Sequence, residues 1–195
     1  TNEDSATVTV FVNPGFPPVA RDDTARIIER IDTTDTIFYP DGDIDEPTAM
    51  TYWPAQDKFF IAQFDELYEF QTGSITNDFQ IGELDYDTKG LAVIDDTLYS
   101  ISAYDPFLFT IDPTDGSTLS TVEITLEGFE VDRGTGLAAH PVSGVLFALL
   151  DVNSDATNDI RVLVILDPDT GVATLIGEVG RGFGSLAVTS DGVLY

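Results

Sequence analysis

The sequence predicts an all-β fold in which a four-stranded unit is repeated, and three observations lead to this prediction. First, short apolar runs rich in β-branched and aliphatic residues are bounded by Pro, Gly, Asp and Asn, as short strands are. Second, residues 136–179 contain four such runs within about 45 residues. Third, the same order of runs recurs along the chain, which is typical of the four-stranded antiparallel blades of a β-propeller.

The recurring positions stay in phase over four copies. First strands are predicted to start at Met50, Leu91, Leu137 and Leu186, and the second strands carry the aromatic residues Phe60, Tyr99, Phe147 and Tyr195. Third strands are predicted at 27–31, 67–70, 107–111 and 162–166, each followed by a polar turn. Solenoid repeats have shorter periods, so we favour a propeller over a solenoid. A β-sandwich with coincidental spacing is the remaining alternative.

These positions divide the chain into blades. Residues 47–90, 91–136 and 137–185 are three predicted blades, residues 26–46 are the outer half of another, and residues 186–195 begin a further one. We therefore predict a partial ring, a propeller fragment over residues 25–195. A propeller hides its strand edges by closing the ring, so we expect further blades after Tyr195, within a larger multidomain chain. The alternative is that the two halves combine to close a four-bladed ring.

Residues 1–24 differ from the repeats. Residues 7–12 alternate as a half-buried strand does, and Asn13-Pro14-Gly15 and Pro17-Pro18 interrupt them as linker residues. This segment resembles the junction between bacterial cadherin-like or immunoglobulin-like repeats. The resemblance implies the terminal strand and linker of an adhesin-type sandwich upstream.

The repeats also resemble those of bacterial β-propeller proteins. Gly136–Pro141 reads GLAAHP and Leu166–Gly171 reads LDPDTG, which match the GLAxHP and IDPxTG segments of such repeats. Blade 47–90 departs from this pattern, with Tyr52-Trp53-Pro54 in place of AxHP. The resemblance implies an architecture and no particular activity.

Composition excludes several classes of function. The formal net charge is −27, from 35 acidic and 8 basic residues. This balance argues against nucleic acid and anionic membranes as partners, because both require Lys and Arg. The chain has no cysteine, which excludes thiol catalysis and disulfides, and it has no apolar run long enough for membrane insertion. A saline or calcium-containing exterior would offset the acidic charge, and we expect an extracellular or cell-surface location. The alternative is that the charge only keeps the protein soluble.

The strand order predicts an acidic face. In an antiparallel blade, the loop joining strands 2 and 3 emerges on the same side as the loop leading from strand 4 to the next blade. Three of the interblade loops are acidic, at residues 41–46, 83–87 and 127–136, and the long insertion at 151–159 joins them on this side. We therefore expect one strongly negative rim.

The insertion is also the best candidate for a metal site. Alternating oxygen-bearing side chains are what Ca²⁺ requires, and the insertion presents them at Asp151, Asn153, Asp155, Thr157 and Asp159. The pattern resembles the cation loops of integrin propellers and the first part of an EF-hand loop, although Ala156 replaces the turn glycine and Val162 the bidentate glutamate. The alternative is a polar turn without an ion. Residues 41–46 are a weaker candidate with a similar pattern.

Catalytic residues are scarce. His140, the sole histidine, precedes a proline in a predicted turn, and Trp53 occupies the equivalent place one blade earlier. We interpret the former as a turn residue and the latter as a packing residue, with sugar stacking by an exposed Trp53 as the alternative.

The favoured hypothesis is a non-catalytic, calcium-stabilised extracellular module for adhesion or for binding a protein or glycan. One alternative is a fragment of a propeller enzyme, a lyase, lactonase or glycosidase, with its site on the acidic rim. The other alternative is a purely structural spacer.

Overall fold

The computed structural model describes residues 44, 46–71, 79–154, 157–180 and 184–195. The chain divides into two units, Thr1–Thr36 and Ile37–Tyr195, and the described residues all belong to the second. The predicted strand and linker at 1–24, the predicted half blade up to residue 43 and most of the weak cation motif at 41–46 lie outside the described residues. The described residues include no helix that is long and apolar enough to cross a membrane.

The first blade is a four-stranded antiparallel sheet. Its strands follow one another in space as in sequence: β1 (Ala49–Trp53), β2 (Lys58–Gln63), β3 (Glu66–Gln71) and β4 (Phe79–Glu83). A 3₁₀ turn at Pro54–Gln56 joins the first two strands, because the ring of Pro54 suits the start of a helical turn.

The second blade repeats this arrangement with β5 (Thr88–Ile94), β6 (Thr97–Ser102), β7 (Phe107–Ile111) and β8 (Thr118–Glu123). Asp95 and Asp96 form the two-residue turn between β5 and β6, with φ angles of 45° and 65°. Positive φ at both positions is the geometry of a type I′ hairpin, and Asp is among the residues that tolerate it.

The third blade is longer than the second. It consists of β10 (Glu130–Ala139), β11 (Leu146–Ser154), β12 (Thr157–Leu166) and β13 (Val172–Val179). The short strand β9 (Thr125–Leu126), which comes from the connection between blades, pairs in parallel with the first residues of β13.

The apolar core lies between neighbouring blades. One face of the second blade contributes Leu91, Leu98 and Ile111 to a cluster shared with Phe60 and Leu67 of the first blade. Its opposite face contributes Ala92, Ile101 and Leu108 to a cluster shared with the third blade, which includes Leu137, Leu146 and Val164. Because the middle sheet is covered on both faces, the two-layer sandwich that was the alternative prediction is excluded, and the β-propeller prediction is confirmed.

Successive blades approach each other closely at their first strands, and the contact recurs from one blade to the next. A Cβ atom added to Gly90 would lie 2.6 Å from the backbone nitrogen of Leu137. One blade later, a Cβ on Gly136 would lie 3.5 Å from the backbone nitrogen of Leu186. These glycine positions therefore allow the first strand of the next blade to approach closely. Leu137 and Leu186 have the equivalent surroundings that the repeat predicts.

Residues 186–195 restart the pattern as predicted. Ala187 and Tyr195 exchange two backbone hydrogen bonds, of 3.1 and 2.9 Å, so the segment forms a hairpin beside the third blade. The division of the whole chain into domains stays a prediction, because part of the chain lies outside the described residues.

The polar turns after the third strands adopt one repeated structure. Asp112 and Asp167 each accept a hydrogen bond through the backbone carbonyl from the glycine four residues later, Gly116 or Gly171, at 2.9 Å. The Asp167 carboxylate also accepts the backbone N–H groups of Thr170 and Asp169, which lowers the pKa of this carboxyl group. The Asp-Pro-x-x-Gly motifs are therefore turns, as predicted.

Two strand boundaries and two loops were predicted wrongly. The first strands of the second and third blades begin at Thr88 and Glu130 instead of Leu91 and Leu137. Residues 130–136, expected as a loop, are part of β10. Residues 151–154 and 157–159, expected as a loop insertion, belong to β11 and β12. The charged residues in these segments are typical of loops. In the structure the segments pair as strands, and Arg133 lies opposite the oppositely charged Asp151.

Candidate functional site

Backbone hydrogen bonds bring the predicted loops to one side of the blades. The N–H groups of Leu84 and Thr88, in the connection between the first two blades, donate to Asp65 and Phe64 in the β2–β3 turn. In the next blade, Ile124 N–H donates to the Pro106 carbonyl at 2.7 Å. The turns between second and third strands therefore meet the interblade connections, as the strand order predicts.

This side of the protein is strongly acidic. We call residues 63–66, 83–87, 102–106 and 123–132 together the acidic face. These four segments contain no lysine or arginine. Their ten carboxylates are those of Asp65, Glu66, Glu83, Asp85, Asp87, Asp105, Glu123, Glu127, Glu130 and Asp132.

The acidic face contains a cleft of about 520 Å³ between the second and third blades. One wall is the β6–β7 turn, and the floor is the connection 123–129. The other wall is the end of the third blade that carries residues 130–132 and 153. Carboxylates line both walls and the floor: Asp105, Glu123, Glu130 and Asp132. The cleft can therefore accept hydrogen bonds from hydroxyl, amine or guanidinium groups.

Two aromatic residues give the cleft an apolar component. Tyr104 is 67% exposed, at the tip of the β6–β7 turn. The Ser102 hydroxyl accepts the N–H groups of Tyr104 and Asp105, at 3.1 and 3.2 Å, and so holds the turn that presents the ring. Phe129 lines the cleft and is anchored by packing against the apolar cluster between the blades. An exposed aromatic ring beside carboxylates suits contact with a sugar face or a cationic side chain.

The second wall of the cleft is an extension of the third blade. The strands of the second blade end near Thr88, Ser102 and Phe107, but the third blade continues through residues 130–133, 151–154 and 157–161. We call this three-stranded extension the flap. It supplies Glu130, Val131, Asp132 and Asn153 to the cleft.

Three charged residues cross the base of the flap. Asp151 lies on the central strand, opposite Arg133 on one side and Arg161 on the other. Arg133 Nε lies 3.0 Å from Asp151 Oδ2, and Arg161 Nε lies 2.8 Å from Asp151 Oδ1. Arg161 Nη2 donates a further bond to Oδ2 at 3.1 Å. We call these three residues the clamp.

The carboxylate and one arginine of the clamp, Asp151 and Arg161, are largely removed from solvent. Asp151 is only 6% exposed, whereas the side chain of Arg133 is 43% exposed. Burial alone would raise the pKa of Asp151, but the hydrogen bonds from Arg161 and Arg133 outweigh it, and the pKa lies below its ordinary value. Asp151 is therefore held as a carboxylate between two guanidinium groups.

The clamp includes one of the predicted calcium ligands, Asp151. Asp151 and Asn153 lie on β11, and Thr157 and Asp159 lie on β12. The side chains of Thr157 and Asp159 lie outside the described part, and so does all of Asp155. Both carboxylate oxygens of Asp151 accept bonds from arginine. Within the described part, no group of three or more acidic or histidine side chains is placed to hold a metal ion. Calcium binding by this hairpin stays a prediction.

His140 is a turn residue, as predicted. Its Nδ1 accepts the backbone N–H groups of Val142 and Ser143 at 3.1 and 3.2 Å. Trp53 is 3% exposed and its Nε1 donates to Asp96 Oδ1 of the second blade at 2.8 Å. Trp53 therefore joins two blades, and its alternative role in sugar stacking is excluded.

Comparisons with known proteins agree on the fold. One similar structure is a GH43 glycoside hydrolase engineered to display both endo-xylanase and exo-arabinofuranosidase activity, with a TM-score of 0.51 and 14% identity over 75% of this chain. Another is the extracellular domain of a hybrid two-component system from B. thetaiotaomicron, with a TM-score of 0.50 and 14% identity over 80% of this chain. A third is the WD40 β-propeller domain of Doa1, with a TM-score of 0.45 and 18% identity over 76% of this chain.

This chain covers only part of each of those proteins. The covered shares are 33% of the glycoside hydrolase, 20% of the two-component system domain and 46% of the Doa1 domain. No protein-family profile matches the sequence, and no curated protein matches it. The glycoside hydrolase and the two-component system domain therefore show a likeness in fold alone, and the activity is argued from the cleft.

Proposed function

We propose that this propeller is a non-catalytic binding module of a larger repeat protein, and that its ligand binds in the cleft between the second and third blades. The observation that carries the proposal is the cleft itself, in which an exposed Tyr104 lies among carboxylates on two walls. Concave sites at the junction of structural units, with a few converging polar groups, are where ligands of proteins usually bind.

The chemistry of the cleft fits a glycan or a protein segment. Asp105 and Asp132 can accept hydrogen bonds from sugar hydroxyls or from lysine and arginine, while the Tyr104 ring can stack on a sugar or a cation. The two ligand classes differ in their dependence on salt. Binding of a cationic segment to the acidic face weakens as ionic strength rises, whereas binding of a neutral glycan changes little.

The first prediction concerns Tyr104. We expect Tyr104→Ala to weaken binding about tenfold, which corresponds to about 1.4 kcal/mol. Isothermal titration calorimetry with two probes, hexalysine and a neutral xylo-oligosaccharide, tests this at low and high salt. Tyr195 is also 67% exposed but lies on the terminal hairpin, so Tyr195→Ala is the matched control and should leave binding unchanged. Equal losses in both variants, or no binding of either probe by the wild type, would contradict the proposal.

Incubation with the same xylo-oligosaccharide, followed by analysis of the products, tests the enzymatic alternative. Glu123 and Glu130 both line the cleft, and this favours a glycosidase as the alternative, because glycoside hydrolysis uses two carboxylates. Release of shorter sugars from the xylo-oligosaccharide, abolished by Glu130→Gln, would replace the binding module with a propeller enzyme.

We further propose that the module is extracellular and calcium-stabilised. The sequence supports this proposal through the net charge of −27 and the oxygen-bearing pattern of residues 151–159. Calcium would draw its ligands mainly from Asn153, Asp155, Thr157 and Asp159, since the arginines already occupy Asp151.

A second prediction follows for calcium. With a dissociation constant of about 1 mM, typical of extracellular sites, about 10 mM Ca²⁺ should stabilise the fold by about 1.4 kcal/mol and raise Tm by about 3–6 °C. Differential scanning calorimetry with Ca²⁺, with Mg²⁺ as the control ion, measures this shift. An unchanged Tm would remove the calcium proposal. An equal shift in Asp151→Asn would show that Asp151 is not a ligand.

A further inference from the structure

The flap has two faces with different roles. Val152 and Ile160 are the sequence neighbours of Asp151 and Arg161, and Val131 pairs with Val152. These three apolar side chains pack against the cluster between the second and third blades. A register irregularity between Val131 and Arg133 places Arg133 opposite Asp151. The clamp residues Arg133, Asp151 and Arg161 therefore lie on the opposite face.

Asp151 is placed to hold the flap together. It is the first flap residue on the central strand, so it stands at the base from which all three strands extend. Its carboxylate bonds to both flanking strands, through residues 18 positions before it and 10 positions after it in the sequence. A buried carboxylate with two arginine partners in good geometry resists loss of either contact.

The residues that the clamp joins continue directly into the cleft wall. Asp132 lines the cleft and immediately precedes Arg133 on β10. Asn153 lines the cleft two residues after Asp151 on β11. The ionic contacts therefore fix the strands that carry both of these polar groups.

We infer that Asp151 is a positioning residue for ligand binding: by joining β10 and β12 it fixes the flap as the wall of the cleft. This inference rests on the proposed function of the cleft. Asp151 does not itself line the cleft, so it acts on the ligand through the flap residues Glu130, Asp132 and Asn153.

Amide hydrogen–deuterium exchange tests this inference, because exchange rates report local opening. In Asp151→Asn, the amides of 130–133 and 151–154 should exchange at least tenfold faster, while exchange in β5–β7 and the emission of Trp53 stay as in the wild type. Asp65→Asn is the control. This substitution removes one charge from an exposed residue of the acidic face. The described hydrogen bond of Asp65 uses its backbone oxygen, which the substitution keeps. Unchanged flap exchange in Asp151→Asn would overturn the inference.

A second variant covers the case in which Asp151→Asn does not fold. Arg133→Gln removes the more exposed arginine and leaves the Arg161–Asp151 pair in place. It should accelerate exchange of residues 130–133 at least threefold and leave Trp53 emission unchanged. Unchanged exchange of these residues would overturn the inference.

Binding of hexalysine and of the xylo-oligosaccharide completes the test. The probe that the wild type binds should bind at least fivefold more weakly to Arg133→Gln and Asp151→Asn, and equally well to Asp65→Asn if it is the sugar. Faster flap exchange with undiminished binding would overturn the positioning role. If the wild type binds neither probe, the proposed function fails, while the exchange data still decide whether the clamp holds the flap.

Discussion

Replacing Gly171 with alanine should lower the free energy of unfolding by about 2–5 kcal/mol. Gly171 has a φ of 72°, and its Cβ would collide with the backbone carbonyl of Glu123 at the end of the second blade. The positive φ costs about 1–2 kcal/mol for a residue with a side chain, and overpacking against backbone adds about 1–3 kcal/mol. Urea denaturation followed by Trp53 fluorescence measures the change.

Gly128 is the matched control for this substitution. Its φ is 83°, but a Cβ there would meet no atom within 4 Å. Gly128→Ala should therefore lower the free energy of unfolding only by the cost of the positive φ, about 1–2 kcal/mol. The difference between the two variants isolates the contact between neighbouring blades. Equal losses would contradict the close packing of the Asp-Pro-x-x-Gly turn against the preceding blade.

Replacing Asp151 with asparagine should lower the free energy of unfolding by about 3–5 kcal/mol at neutral pH. The substitution leaves two arginines facing each other without their common carboxylate, and breaking a buried ion pair on one side costs about that much. The same urea denaturation measures it. Asp65→Asn should change stability by no more than about 0.5 kcal/mol, because Asp65 is exposed. A loss in Asp151→Asn as small as the control would show that the clamp contributes nothing.

The contribution of Asp151 should also depend on pH in a defined direction. Its pKa is lower in the folded than in the unfolded state. Its stabilisation is therefore complete above the unfolded value and is lost as the pH falls through the folded value. The difference between the wild type and Asp151→Asn should be constant near neutrality and shrink below about pH 4.

The sequence predicted those features that local chemistry or periodicity specifies. The turns at 112–116 and 167–171 follow from Asp, Pro and Gly at fixed offsets, which act within the turn itself. The third strand Phe107–Ile111 was predicted at its observed boundaries. The meeting of turns and connections on one face followed from strand order alone, since antiparallel neighbours fix which loops share a side.

The features that sequence analysis missed depend on contacts between distant residues. Arg133 and Asp151 each look like loop residues, because charged side chains seldom occupy buried strands. The two segments are strands because β10 and β11 pair along their length, and this pairing places Arg133 opposite Asp151, 18 positions later. A weak indication exists in retrospect: arginine is scarce in this chain, yet Arg133 precedes the acidic insertion and Arg161 follows it.

The cleft itself was predicted only in part. Acidic loops indicated a negative rim, but the sequence did not single out Tyr104 or Phe129. Tyr104 is presented by the turn that Ser102 holds, and Phe129 is anchored by the apolar cluster between blades. Neither arrangement follows a periodic pattern, because each depends on how two blades meet.

The most direct test of the central claim is a set of nuclear Overhauser effects between successive blades. The claim is that equivalent first strands lie side by side around a common centre, which creates the cleft. It predicts contacts of Gly90 with Leu137 and, one blade later, of Gly136 with the Leu186 amide. Observation of both supports the propeller and its cleft. A contact of Gly90 with Leu137 without its counterpart at Gly136 and Leu186 would contradict the repeated arrangement.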